Sequence, residues 1–148
     1  MAETAYVFSN FPKNLMKGKF GDLSNAGVVV KCLLMTSSAS ISQENWETLT
    51  DVNTDGHEVS GTGYSAGGSE ATTKAVTEST KVTTFDADNV TWTSSTITAR
   101  YSILYLSTGT ASTSYLIGYA DFDVDKSSSS GDFTVQWDAS GILTLTVP

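Results

Sequence analysis

Residues 85–109, FDADNVTWTSSTITARYSILYLSTG, decide the fold. Residues 90–93 and 97–106 are rich in β-branched and aromatic side chains and contain no proline, so each run predicts a β-strand. The Ser94-Ser95 dipeptide between the two runs predicts a turn. In the second run, strand alternation places Ala99 on the same face as Tyr101, Ile103 and Tyr105. A strand of this length and composition is expected in the centre of a sheet.

The composition of the 148 residues indicates a globular chain of turns and short strands. Charged residues make up only 16% and aromatic residues 10%, with three Trp, whereas a disordered chain has few aromatics and many charges. A net charge of −8 argues against binding to nucleic acid or to an anionic membrane, because both would repel the chain. The single cysteine, Cys32, lies in an apolar run and predicts a small buried side chain.

The remaining patterns place further strands along the chain. Residues 28–35 are almost continuously apolar, which predicts a strand that is covered on both faces. Other strands are expected at residues 58–64, 79–85, 115–124, 132–137 and 142–147, with a flexible turn at 127–131. One short helix is predicted at residues 42–49, where Ser42 is a suitable N-cap.

These elements predict an all-β fold, a single antiparallel β-sandwich or barrel with about eight strands, one short helix and an extended N-terminal arm. The arm comprises residues 1–27 and the β-domain residues 28–148. The arm either tucks onto its own domain or reaches a neighbour. Its apolar residues are the candidates for a partner contact: Tyr6, Phe8, Phe11, Leu15 and Phe20. The N-terminus lacks a signal-peptide pattern, and no apolar run is long enough to span a bilayer, so we expect synthesis in the cytoplasm.

Candidate reactive groups are few. His57 is the only histidine and lies in a polar, Gly-flanked loop, so a solvated side chain is expected there. Residues 51–56, DVNTDG, match the start of a calcium-binding loop, but Thr62 stands where a bidentate Glu is required. A polar turn is therefore predicted at this position. Core packing is expected for Trp46, Trp92 and Trp137, in preference to a sugar-binding platform.

Asp121, Asp123 and Asp125 alternate along a predicted strand, so their carboxylates are expected on one side, about 7 Å apart. Such a row is solvated, binds a cation or meets basic groups of a partner. A solvated edge is the expectation, and the three residues are only weak candidates for a metal site. No catalytic residue, cofactor or enzymatic activity is predicted.

Four segments of the chain resemble a family of small structural proteins of tailed bacteriophages. They are residues 58–64 with the following Gly67-Gly68, 85–92, 97–101 and 131–138. A Lys- and Gly-containing arm that leads into the strand VVVKCLL also fits the family, and the likeness extends from about Leu15 to the end. The resemblance implies a virion component encoded among head and tail genes.

A capsid decoration (cement) protein is the first functional expectation. Its partners would be the major capsid protein and copies of itself in a symmetric homo-oligomer on the virion surface. A tail, neck or fibre component is the alternative. A module that binds host glycans is a second alternative, and it would use exposed Trp or Tyr with the Asp121 row.

Overall fold

The computed structural model describes residues 4–148, which form an all-β sandwich of two antiparallel sheets. The predicted fold class is confirmed. The strands are β1 (Thr4–Val7), β2 (Val29–Met35), β3 (Ser69–Glu70), β4 (Ala75–Ser79), β5 (Val82–Asp86), β6 (Val90–Ser107), β7 (Leu116–Val135) and β8 (Leu143–Thr146). The helices are α1 (Asn10–Met16) and α2 (Leu49–Asp55). The larger sheet has the order β1-β7-β6-β2-β3, and the smaller one β4-β5-β8.

Strands β6 and β7 form one long antiparallel pair at the centre of the larger sheet. β6 has 18 residues and β7 has 20, and their pairing runs from Val90–Val135 to Tyr105–Leu116. The predicted turns at Ser94-Ser95 and at residues 127–131 are therefore wrong, because both segments lie within continuous strands. Backbone pairing across the sheet outweighs the turn preference of serine.

A β-bulge stands where the first of those turns was predicted. The register shifts between Trp92 and Ser95, and Ser94 adopts a left-handed conformation with φ 49°. Opposite it, hydroxyl groups join the strands: Ser95 and Ser128 are 2.7 Å apart, as are Thr98 and Ser127. Such cross-strand hydroxyl pairs hold the serine-rich segment in the sheet.

A second irregularity in the pairing of β6 with β7 changes the face of the sheet on which the side chains of β6 lie. Ala99 pairs with Lys126 and Tyr101 with Asp121, so residues 122–125 of β7 stand opposite Arg100 alone. This bulge shifts the alternation of β6 by one residue. Ala99 therefore lies in a different hydrophobic cluster from Ile103 and Tyr105, and the predicted grouping of the three residues on one face is wrong.

The part of the larger sheet that contains β2, the second half of β6 and the start of β7 is buried on both faces. On one face, the first core joins it to the smaller sheet through Phe85 and Leu143. On the other face, the second core is covered by α2 and by residues 39–46. β2 serves both cores, since Cys32 faces the first and Leu33 the second, and both side chains are fully buried. The prediction that this strand is covered on both faces is confirmed.

The helices differ from the prediction. Residues 43–45 form turns, and the helix begins after Thr48, whose side chain forms a capping box with Asp51. α2 also occupies the segment predicted as a polar turn, while α1 was not predicted because Pro12 and the polar residues around it obscure the periodicity. No helix within residues 4–148 is long and apolar enough to cross a membrane.

The strand predicted at residues 79–85 is present from Val82 as β5, whereas Ser79 ends β4 and residues 80–81 form the turn between the two strands. β4 and β5 meet at Thr80 and Lys81, which have φ values of 51° and 68°. Two consecutive left-handed residues make a tight turn between antiparallel strands. The strand predicted at residues 58–64 is a loop that makes only isolated bridges, from Glu58 to Met35 and from Thr62 to Thr96.

Gly68 allows this loop to lie against β2. Its φ is +71°, and a Cβ on this residue would overlap the carbonyl group of Cys32. Gly109 has a similar φ of +85°, but no atom would lie within 4 Å of its Cβ. The two glycines therefore share a backbone conformation and differ in available space.

We expect Gly68→Ala to lower the free energy of unfolding more than Gly109→Ala does. Both variants pay about 1–2 kcal/mol for a left-handed alanine, and Gly68→Ala adds about 1–3 kcal/mol for overpacking. Urea denaturation of the two variants measures the difference. Equal losses of stability would show that the loop accommodates the extra methyl group.

Candidate functional site

The N-terminal segment packs on its own domain. β1 pairs with β7 through Thr4–Asp121 to Val7–Gly118, and α1 follows directly. Residues 1–3 of the predicted arm lie outside the described residues. From Thr4 onward, the arm is a strand and a helix that belong to the β-domain, and it is not an extended structure.

Burial divides the five predicted partner-contact residues. Phe8, Phe11 and Phe20 are 0%, 3% and 1% exposed, so they belong to the two cores and are not available to a partner. Tyr6 and Leu15 are 39% and 38% exposed. The predicted contact is therefore wrong for the three phenylalanines and stays a prediction for Tyr6 and Leu15.

Met16 belongs with the exposed pair, although the sequence did not single it out. It is the last residue of α1 and is 90% exposed. Lys17 and Lys19 follow it directly, and residues 4–21 contain three lysines and no acidic residue. We call these three exposed residues of β1 and α1, Tyr6, Leu15 and Met16, the N-terminal surface. Of the lysines in this segment, Lys13 pairs with Glu47 at 3.0 Å.

Buried aromatic residues hold the N-terminal surface in place. The rings of Phe11 and Phe20 pack edge to face at 5.0 Å, and Phe8 packs beside Tyr119 at 5.2 Å. Tyr6 stacks on the same Tyr119 at 4.9 Å. Aromatic pairs at these separations are favourable, so the surface is fixed by contacts that lie beneath it.

The acidic row on β7 does not have the predicted geometry. Asp123 has a φ of +64° and lies in the bulged segment opposite Arg100, so strict alternation is broken. Asp121 accepts hydrogen bonds from Nε and Nη2 of Arg100 at 2.5 and 3.2 Å. These bonds hold the pKa of Asp121 below its usual value. Among residues 4–148, no group of three His, Cys, Asp or Glu side chains is arranged to hold a metal ion.

The His57 ring contacts the carboxylate of Asp55. Its Nδ1 is 3.0 Å from Oδ2 of Asp55, and its side chain is 46% exposed. The calcium-like segment that precedes it is α2, whose Asp51 carboxylate accepts hydrogen bonds from the backbone N–H groups of Glu47 and Thr48. That carboxylate therefore stabilises the start of a helix, which is incompatible with the geometry of a calcium loop.

The tryptophans follow the packing prediction. Trp92 is 3% exposed within the first core, and Trp46 packs against the second. Trp137 is partly buried, and its Nε1–H donates to the carbonyl oxygen of Asp88 at 2.9 Å. None of the three presents a fully open ring for stacking on a sugar.

Glu58 forms a hydrogen-bond network that closes the edge of β2. Its Oε1 accepts from the hydroxyl group of Tyr64 and from the backbone N–H of Gly67, both at 2.7 Å. The hydroxyl oxygen of Tyr64 in turn accepts from the N–H of Leu34 at 3.0 Å. Burial raises the pKa of Tyr64 far above its usual value. The Glu58 carboxylate and the Tyr64 hydroxyl group therefore have a structural role at the edge of β2.

A groove of about 1030 Å³ lies between β1, β7 and β8. Its apolar lining includes Phe122, Phe133 and Leu143, which also pack in the first core. Asp138, at the margin, accepts hydrogen bonds from the hydroxyl and N–H of Ser140, which lower its pKa. The lining of the groove is mixed, because polar residues such as Lys126, Gln136 and Thr144 lie beside the apolar ones.

A comparison of the chain with protein-family models, curated proteins and solved structures finds no match. The candidate site therefore rests on geometry alone. It is the N-terminal surface, because this area combines exposed apolar side chains, neighbouring lysines and rigid support from the core.

We expect Tyr64→Phe to destabilise the protein by about 1–3 kcal/mol, because the buried N–H of Leu34 loses its acceptor. Chemical denaturation measures the change. Tyr115→Phe is the control, since the hydroxyl group of Tyr115 makes no hydrogen bond with the described residues. An unchanged stability in Tyr64→Phe would contradict the structural role of the network.

The ion pair between Arg100 and Asp121 predicts a pH dependence of stability. The folded-state pKa of Asp121 is depressed, so its contribution is complete above the unfolded-state value of about 4. The contribution is lost as the pH falls through the folded-state pKa. The difference in unfolding free energy between the wild type and Asp121→Asn should therefore be constant at pH 6–7 and shrink below about pH 4.

Denaturation series at several pH values test this dependence. Asp125→Asn is the matched control, because it removes one negative charge from the same segment without removing the pair with Arg100. A stability difference for Asp121→Asn that does not change with pH would show that the pair contributes nothing.

Proposed function

We propose that this chain is a structural protein of a tailed-bacteriophage virion. It decorates the outside of the capsid, binds the major capsid protein and stabilises the contacts between capsomers. Copies of the chain form a symmetric oligomer on the shell. The role is adhesive and not enzymatic.

The N-terminal surface is the observation that carries the proposal. Met16 is 90% exposed at the end of α1, next to the half-exposed Leu15, while three phenylalanines beneath them are buried. A rigid support reduces the entropy that is lost when exposed side chains become ordered at an interface. The neighbouring lysines favour acidic or hydrogen-bonding groups on the partner.

The fold also supports an adhesive role. Half of the buried hydrophobic residues lie in the two long strands β6 and β7, whose serine-rich segments are joined by hydroxyl pairs. Repeated by symmetry, modest contacts from each copy add up to strong attachment through avidity. A tail, neck or fibre location would use the same surface and differs in the number of copies.

Quantitative mass spectrometry of purified particles distinguishes these locations. Hundreds of copies per particle support the capsid role, and a few dozen or fewer support a tail or neck position. Absence of the chain from purified particles would overturn the proposal of a virion protein.

We expect Met16→Asp to reduce occupancy on the particle by about tenfold or more, since burial of a methionine side chain contributes about 1.5–3 kcal/mol. Occupancy is measured by adding purified protein to undecorated particles. Thermal stability should be unchanged, because the side chain is exposed. Leu145→Asp is the matched control, since Leu145 is 64% exposed and lies in β8, outside the N-terminal surface.

Deletion of residues 2–20 is not a suitable test. The deletion removes Phe8, Phe11 and Phe20 from the cores, and each such loss costs about 3–5 kcal/mol. We therefore expect the β-domain to be strongly destabilised without this segment. Full occupancy by Met16→Asp would exclude the N-terminal surface as the contact.

A further inference from the structure

Strand β1 leaves one edge of the larger sheet open. It pairs with β7 on one side only, and all four of its residues, TAYV, are exposed. The strand contains no charged residue, no proline and no bulge. Natural proteins generally protect sheet edges with such features, because an open edge is a template for another strand.

The hydrogen-bonding pattern shows which groups of β1 face outward. The N–H of Phe8 donates to the carbonyl oxygen of Ile117, so residues 6 and 4 also direct their backbone groups toward β7. The N–H and C=O of Ala5 therefore point to the open edge. The carbonyl oxygen of Val7 on that edge accepts a hydrogen bond from Nε2 of Gln43 at 2.9 Å. Ala5 is thus the centre of the open edge.

The charged residues near the two ends of β1 have opposite signs. Lys19 lies beyond its Val7 end, 5.9 Å from the ring centre of Tyr115, and Lys17 is two residues before it in the chain. Beyond its Thr4 end, β7 continues from Asp121 into Asp123 and Asp125. Asp123 follows Ala120, the partner of Ala5, by three residues, and Tyr115 precedes Ala120 by five residues.

We propose that β1 pairs antiparallel with β1 of a second copy of this chain. A twofold axis beside Ala5 would give two reciprocal backbone hydrogen bonds between the alanines and a continuous sheet of ten strands. Antiparallel pairing brings the basic end of each strand near the acidic end of the other. Parallel pairing would bring like charges together, so the charge pattern selects the twofold arrangement.

This contact goes beyond the proposed function and does not depend on a shell. The face of β1 that carries the Tyr6 ring is distinct from its edge, so both contacts can form at once. The twofold contact is tested with the isolated full chain, whereas the decoration role is tested on particles. Failure of one therefore leaves the other intact.

Sedimentation velocity over a range of concentrations at low salt tests the proposal. We expect a reversible monomer–dimer equilibrium that weakens as salt is added, since the charges at the two ends are screened. Ala5→Pro removes the outward N–H without removing a hydrogen bond to β7, and edge strands tolerate proline. This variant should raise the dissociation constant by about tenfold or more, with its circular dichroism spectrum unchanged.

A charge exchange provides the second test. Lys17→Glu/Lys19→Glu and Asp123→Lys/Asp125→Lys should each weaken the dimer, and an equimolar mixture of the two variants should form heterodimers. Glu78→Lys/Lys81→Glu, a charge exchange at the hairpin of β4 and β5, is the control and should leave the dimer unchanged. A wild type that is monomeric at all concentrations, a dimer unaffected by Ala5→Pro, or a mixture that stays monomeric would each overturn the proposal.

Discussion

The pairing of β6 with β7 is the constraint on which the rest of the structure depends. Among residues 4–148 these two strands form the longest pair, from Val90 opposite Val135 to Tyr105 opposite Leu116. β2 attaches to one side of the pair and β1 to the other. Both cores form on the faces of these strands, so every covering element is positioned relative to them.

The bulges in this pair determine which side chains of β6 and β7 point to each core and which point to solvent. A strand without interruption would keep one set of side chains on one face along its full length. The extra residues opposite Arg100 move Ala99 and Ile103 to different cores and direct Asp123 outward. Local departures from regular pairing therefore allow a single sheet to be apolar on both faces and acidic at one end.

Sequence patterns predicted the fold class because the alternation of apolar and polar residues, together with the β-branched and aromatic composition, indicates which side chains of a strand are buried. The β2 prediction succeeded since an apolar run interrupted only by Lys31 has few alternatives to a strand covered on both sides. The serine-rich segments misled because serine favours turns locally, and only the partner strand reveals that their hydroxyl groups pair across the sheet. The conformation of these serine-rich segments is therefore determined by pairing with the partner strand and not by the local turn preference of serine.

The candidate site was predictable only in part. An apolar N-terminal segment was visible, but the sequence does not distinguish Phe11, which is buried, from Leu15, which is half exposed. That distinction requires the position of α1 relative to the sheet. Asp121 likewise appeared as one of three equivalent carboxylates until the bulge placed Arg100 against it. Contacts between segments that are distant in sequence determine both the burial of the N-terminal residues and the partner of Asp121.

The register of β1 has a consequence for biosynthesis. Thr4–Val7 is synthesised before its partner residues 118–121, which are more than 100 positions later in the chain. At roughly 5–20 residues per second, the nascent segment waits on the order of 10 s for its binding partner. During that interval, the Tyr6 side chain is exposed to chaperones and to other nascent chains.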